Sequence, residues 1–335
     1  MSPRRTVRTR VVTGLGALVV TASMAGCSAV AGVSAAPAAT VGGSVANARA
    51  QAIAAQVIDS ATKASAAPGA DGDAARTAAH TGDALVAAQA EAKLAGTLSQ
   101  EQKDALALTA TAPTVLAVSR GLDYPRQMVV QTTRAKTGLP VLYLLTTPDA
   151  RTPFRIAASG TMLSGAQVPA FDQISIGSPA LGDGSGIAVD PSTLAAAYAA
   201  SLAYPAPAAS ADAPFTADDA LAKAIRGNAN AVSQALGSVA TFTQQQSAKD
   251  VPGGLRLAGG QGALAFAVLN RTDTVLRKTA GTINATPQFT TLTGQTTINA
   301  EATQEALEFV VFVIPQSGAA TVVAGQDQLV GASGT

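Results

Sequence analysis

The chain has 335 residues, 47% hydrophobic, 13% charged and 4% aromatic, which is enough length for two domains of ordinary size. Four of its 22 basic residues lie in the first 26 positions, so from Cys27 onward 18 bases face 21 acids, a net charge of −3 that leaves no basic stripe for nucleic acid. One Cys and one His exclude a disulfide within the chain and leave little for a transition-metal centre, so neither metal nor cofactor is expected.

The chain opens with MSPRRTVRTR, a basic segment carrying Arg4, Arg5, Arg8 and Arg10. A mostly apolar run of roughly 15 residues follows, then Gly26 and Cys27; this is the order of a secretory signal, and too short for a membrane-spanning helix. Met24-Ala25-Gly26-Cys27 resembles the bacterial lipobox, in which a peptidase cuts before a cysteine that carries acyl chains such as palmitate. A thiolate is a competent nucleophile for a diacylglyceryl group, and several acyl chains anchor far more firmly than one. The expectation is a signal peptide over 1–26, lipidation at Cys27, and residence on the extracytoplasmic face of the cell membrane. Residues 27–46 are small and uncharged, the composition of a flexible tether.

A first α+β domain is expected over 47–175. The segment from Asn47 reads as a helix with Ile53, Val57 and Ile58 near one face, ended by PGADGD. A second helix, GDALVAAQAEAKLAGTLS, places Leu85, Ala88 or Ala92, and Leu94 on its buried side. TVLAVSRG, RQMVVQTTRA, PVLYLLTTP and FRIAASGTML then read as strands of an antiparallel meander. Residues 176–215 form a connecting segment, with a short helix opened by Pro191 and a Pro/Ala-rich linker at 205–214. A second α+β domain follows over 216–335: a helix from Thr216 or Asp218 to about Gln246, then strands LRLAG, GALAFAVLNRTDTVLRK, NAEATQEALEFVVFVIP and TVVAGQDQLVGA. Helix followed by three strands occurs twice, the pattern of a duplication. The expected fold is therefore two α+β domains, each with helices packed on an antiparallel curved sheet.

Several short motifs invite a catalytic reading. Ser60-Ala61-Thr62-Lys63 and Lys136-Thr137-Gly138 match, in order, two elements of serine acyl-transfer enzymes. The first, however, sits near the end of a weak helix, and the second reads as a hairpin turn whose Gly takes the demanding backbone angle. His80 has Thr81 and Asp83 nearby, a spacing that suits helix capping better than a catalytic triad. Asp183 and Asp190 flank a glycine-rich loop without the regular carboxylate spacing of a calcium site. Gly259-Gly260-Gln261-Gly262 lacks the lysine of a phosphate loop and reads as a hairpin turn. Glu301, Glu305 and Glu308 share one segment and read as solvent-facing acids beside a buried strand. That strand alternates Phe309, Val311 and Val313 with Val310, Phe312 and Ile314, so both faces are apolar. It is either covered on both sides or facing a ligand cavity, for which Phe266, Leu307, Phe309 and Val311 are the candidate lining.

Residues 141–171, 184–202 and 262–281, including Phe154-Arg155-Ile156 after a proline, resemble a family of actinobacterial secreted or lipid-anchored proteins of uncharacterised function. The resemblance implies helix-plus-curved-sheet halves similar to cystatin-like or NTF2-like folds, and brings no catalytic residues. The functional expectation is a non-catalytic envelope lipoprotein that binds a protein, a cell-wall component or a small apolar ligand. The alternative is an envelope hydrolase with a site assembled from distant residues, for example around His80.

Overall fold

Why the second half of the chain yields strands where a helix was expected is settled at Gly237. The computed structural model describes residues 42–67, 69–109, 111–182, 186–208, 210, 212–217 and 219–335. Its helices are α1 (Asn47–Ala66), α2 (Gly69–Ala79), α3 (Gly82–Leu94), α4 (Gln100–Leu106), α5 (Pro191–Ser201), α6 (Ala220–Leu236) and α7 (Pro287–Thr293). Its strands are β1 (Thr114–Val118), β2 (Arg126–Thr133), β3 (Pro140–Thr147), β4 (Arg155–Met162), β5 (Ala240–Arg256), β6 (Ala263–Arg277), β7 (Ile283–Asn284), β8 (Thr297–Ile298), β9 (Glu301–Ile314) and β10 (Thr321–Gly334). Gly237, at φ 53°, stops α6, so the segment expected to stay helical to about Gln246 is already the long strand β5.

β1 to β4 form the expected antiparallel meander, with Lys136-Thr137-Gly138 as the β2–β3 turn and Gly138 at φ 69°. Two further features differ from expectation. PGADGD does not end helical structure for long, because Gly69–Ala79 is itself helical. The C-terminal carbonyls of α1 are held by Arg76, which is 2% exposed: its Nη1 donates to Ala64 O and Ala67 O, each at 2.9 Å. The end of the expected tether, from Gly42, is part of the fold. Ser44 is buried, and Ser119 Oγ donates to Ser44 Oγ at 3.0 Å.

The expectation of two separate curved sheets is overturned. One eight-stranded antiparallel sheet runs in the order β1-β2-β3-β4-β10-β9-β6-β5, with β1 and β5 as its edges, and it neither curls nor closes. A cystatin-like or NTF2-like analogy therefore does not describe it. Residues 41–335 form a single compact unit. Each half contributes a four-strand meander, and the two join through their last strands, with Ala324 opposite Met162 and Gly325 opposite Thr161. That junction demands small residues. A Cβ on Gly160 would lie 3.1 Å from Gly325 N, and one on Gly325 would meet Leu221 Cδ2 at 2.5 Å.

Both faces of the sheet are covered. One core joins α1 and α3 with Met128, Leu142, Leu144, Phe266, Leu307, Phe309 and Val311. The other places α5 and α6 over Ala265, Ala267, Leu269, Val310, Phe312 and Ile314. Alternation along β6 and β9 sends odd and even residues to different cores, which is why these strands are apolar on both faces. α5 starts at Asp190, whose Oδ1 accepts from Ser192 N at 2.9 Å and Thr193 N at 3.0 Å, with Pro191 in the first turn. Its Tyr198 is fully buried between Phe215 and Phe312, edge-on to both, and donates its hydroxyl proton to Asp219 at the start of α6.

Candidate functional site

The residues expected to line a ligand cavity are core residues. Phe266, Leu307 and Phe309 are 1–2% exposed and Val311 is fully buried, packed in the first core; neither cavity described below is lined by any of them. Cys27 and Asp183 lie outside the described residues, while Asp190 is the α5 cap. Gly259, Gly260 and Gly262, all at positive φ, form the β5–β6 turn as expected. His80 is half-buried at the end of α2, its Nδ1 3.2 Å from Arg76 O. Burial holds its imidazole below the ordinary histidine range, outweighing that carbonyl contact. Ser60 and Lys63 sit in the last turns of α1, where Lys63 pairs with Asp59 at 2.6 Å.

Glu308 corrects the reading of three solvent-facing acids. Glu301 and Glu305 are exposed, but Glu308 is 1% exposed on the α5–α6 face of β9. Strand register brings four charged groups together there. Arg271 of β6 donates from Nη1 to Glu308 at 2.9 Å, from Nε to Asp273 at 3.1 Å and from Nη2 to Asp327 of β10 at 3.3 Å. Gln246 of β5 donates to the same Glu308 oxygen at 3.2 Å. One guanidinium thus serves three carboxylates. Glu308 Oε2, Asp273 Oδ1 and Gln246 Oε1 are buried acceptors with no partner among the described residues. Burial pushes the Glu308 carboxyl up to about 7 against the pull of Arg271, and raises Asp273 as well. Burial opposes the Arg271 charge, yet the three carboxylates hold it above its usual range. No group of three His, Cys, Asp or Glu among the described residues is arranged to hold a metal ion. The cluster can exchange a proton near neutrality.

Two half-open cavities lie elsewhere. The first, about 240 Å³, lies between β1–β4 and the segment that follows β4. Leu116, Leu142, Met162, Val168 and Phe171 make it mostly apolar, and Gln131 is its polar group. The second, about 320 Å³, draws on five separated segments: Thr81, Pro125, Thr146 with Pro148, Thr152 with Pro153 and Arg155, and Pro252. Neither was legible in the sequence, because each lining set is scattered and carries no spacing signal. Arg155 of Phe154-Arg155-Ile156 falls on the wall of the second.

Comparison of the chain with protein-family profiles, with characterised proteins and with solved structures finds no match to any of them.

Proposed function

We propose that the chain is a non-catalytic envelope lipoprotein, anchored through lipid on Cys27, that binds a small apolar ligand. The supporting observation is the first cavity. It is a pre-formed concavity with an apolar wall from two sides, the sheet and 168–171, and one amide at Gln131 to orient a guest. Its volume falls just below the range of about 300–1,000 Å³ typical for drug-sized ligands, which suits a small aromatic compound or a short acyl segment. The resemblance to actinobacterial lipid-anchored proteins belongs to the same proposal, as does location on the outer face of the cytoplasmic membrane. No described helix is long and apolar enough to cross a membrane.

Two measurements test the proposal. Cys27→Ser, expressed in a host with the lipoprotein pathway, releases the protein into the medium; unchanged membrane retention refutes the anchor. Titration with the uncharged fluorophore N-phenyl-1-naphthylamine gives saturable enhancement that Ala170→Leu, which fills the cavity, removes without lowering the unfolding midpoint. Equal binding by that variant refutes the assignment of the ligand to this cavity.

A further inference from the structure

The second cavity carries a different chemistry and shares no residue with the first. Arg155 opens β4 and stands opposite Thr146 of β3 in the ladder. Its guanidinium is within ion-pair distance of no described carboxylate and donates no hydrogen bond to the described protein, and its Nε is buried without a partner. Two carboxylates near this end of the sheet are already engaged. Asp149, in the β3–β4 turn, accepts from Arg151 N at 2.7 Å, Thr152 N at 2.8 Å and Thr152 Oγ1 at 2.9 Å. Asp83, two residues after Thr81, is paired with Lys249 at 2.6 Å.

A buried guanidinium Nε without a partner is costly to keep unless something completes it. The planar fork of an arginine matches a carboxylate bidentately. The hydroxyls of Thr81 and Thr146 engage no described partner and can each add a donor, whereas Thr152 has already given its proton to Asp149. Pro125, Pro148, Pro153 and Pro252 supply rigid apolar walls around this polar floor. Pro252 reaches it because β5 is irregular there, with register shifts between Ala248 and Gly253.

We infer that the cavity bounded by Arg155, Thr81, Thr146 and the four prolines is a binding site for the free carboxylate of a small ligand with an apolar body, such as an acylated amino acid or a peptide C-terminus. Arg155 holds the carboxylate, and the proline rings contact the apolar part.

Calorimetric titration of the purified chain with N-acetyl-leucine, N-acetyl-leucinamide and inorganic phosphate tests this. The carboxylate binds saturably, and the neutral amide binds at least about tenfold more weakly, the loss expected for one charge-assisted contact. Arg155→Met weakens carboxylate binding by at least about tenfold, and Arg155→Lys falls between, keeping the charge without the fork. Because the Arg155 guanidinium bonds to no described group, its replacement by Met leaves the unfolding midpoint unchanged or raises it. Should Arg155→Met fail to fold, the comparison of acid with amide on the unaltered chain and the Arg155→Lys affinity decide the matter. Absence of saturable carboxylate binding, equal binding of the amide, equal binding by Arg155→Met, or tighter binding of phosphate than of the carboxylate each overturns the inference.

Discussion

Replacing Glu308 by Gln changes the pH dependence of stability more than its size at any one pH. The wild-type carboxyl titrates at about 7 when folded and near 4.5 when unfolded, so between these values the folded state holds the extra proton. Stability from this group is therefore complete below pH 4.5 and is lost as pH rises through 7. A difference of about 2.5 pH units corresponds to roughly 3 kcal/mol, an upper bound because the charges of Arg271, Asp327 and Asp273 act on the same group. Glutamine keeps an oxygen to accept from Arg271 and Gln246 but cannot titrate. Urea unfolding of both proteins at pH 4.5, 5.5, 6.5 and 8 measures the effect. The variant gains on the wild type by up to about 3 kcal/mol across that range. Other groups shape the absolute curves. Glu91, raised by burial, has the same sign as Glu308. His80, lowered by burial, has the opposite sign and favours folding as pH rises through its unfolded value of 6.5. Both are present in each protein and cancel in the difference. Parallel stability curves for the two proteins would refute the reasoning, because they would mean that folding does not raise the Glu308 carboxyl.

Arg271→Met removes the single cation facing three carboxylates and costs about 3–5 kcal/mol, more at pH 8 than at pH 5, where Glu308 is protonated; a loss below about 1 kcal/mol at pH 8 contradicts the burial of the pair. Phe266→Ala, at 1% exposure near the start of β6, costs about 3–5 kcal/mol by urea unfolding, and a much smaller loss means that the ring borders open space instead of packed core. Gly254→Ala lowers the unfolding midpoint sharply, since its Cβ would fall 2.1 Å from Leu264 O on the neighbouring strand.

Local pattern carried a good part of this fold. Four strands from Thr114 to Met162, the α5 helix opened by Pro191, and the turns at Gly138 and Gly259–Gly262 all follow from period-two alternation, a proline suited to a first helical turn and turn glycines, each readable within a few residues. The same reading failed for β5. Gln244, Gln245 and Gln246 are good helix formers, and only pairing with Asp273, Thr272 and Arg271 makes them strand. It also failed for the sheet as a whole, because the bond between the two meanders is two residue pairs long, between Met162 and Ala324 and between Thr161 and Gly325, more than 160 positions apart in the chain.

The sequence by itself determined the element types of β1–β4 and α5, the apolar character of β9 on both faces, and the basic, apolar and cysteine order of its start. Tertiary structure alone decided that two halves share one sheet, that Glu308 is buried opposite Arg271, and that Arg155 stands unpaired among four prolines. The physical reason is range. Propensity, periodicity and capping act over one or two turns of chain, whereas burial of a charge and closure of a cavity depend on which distant strand lies alongside.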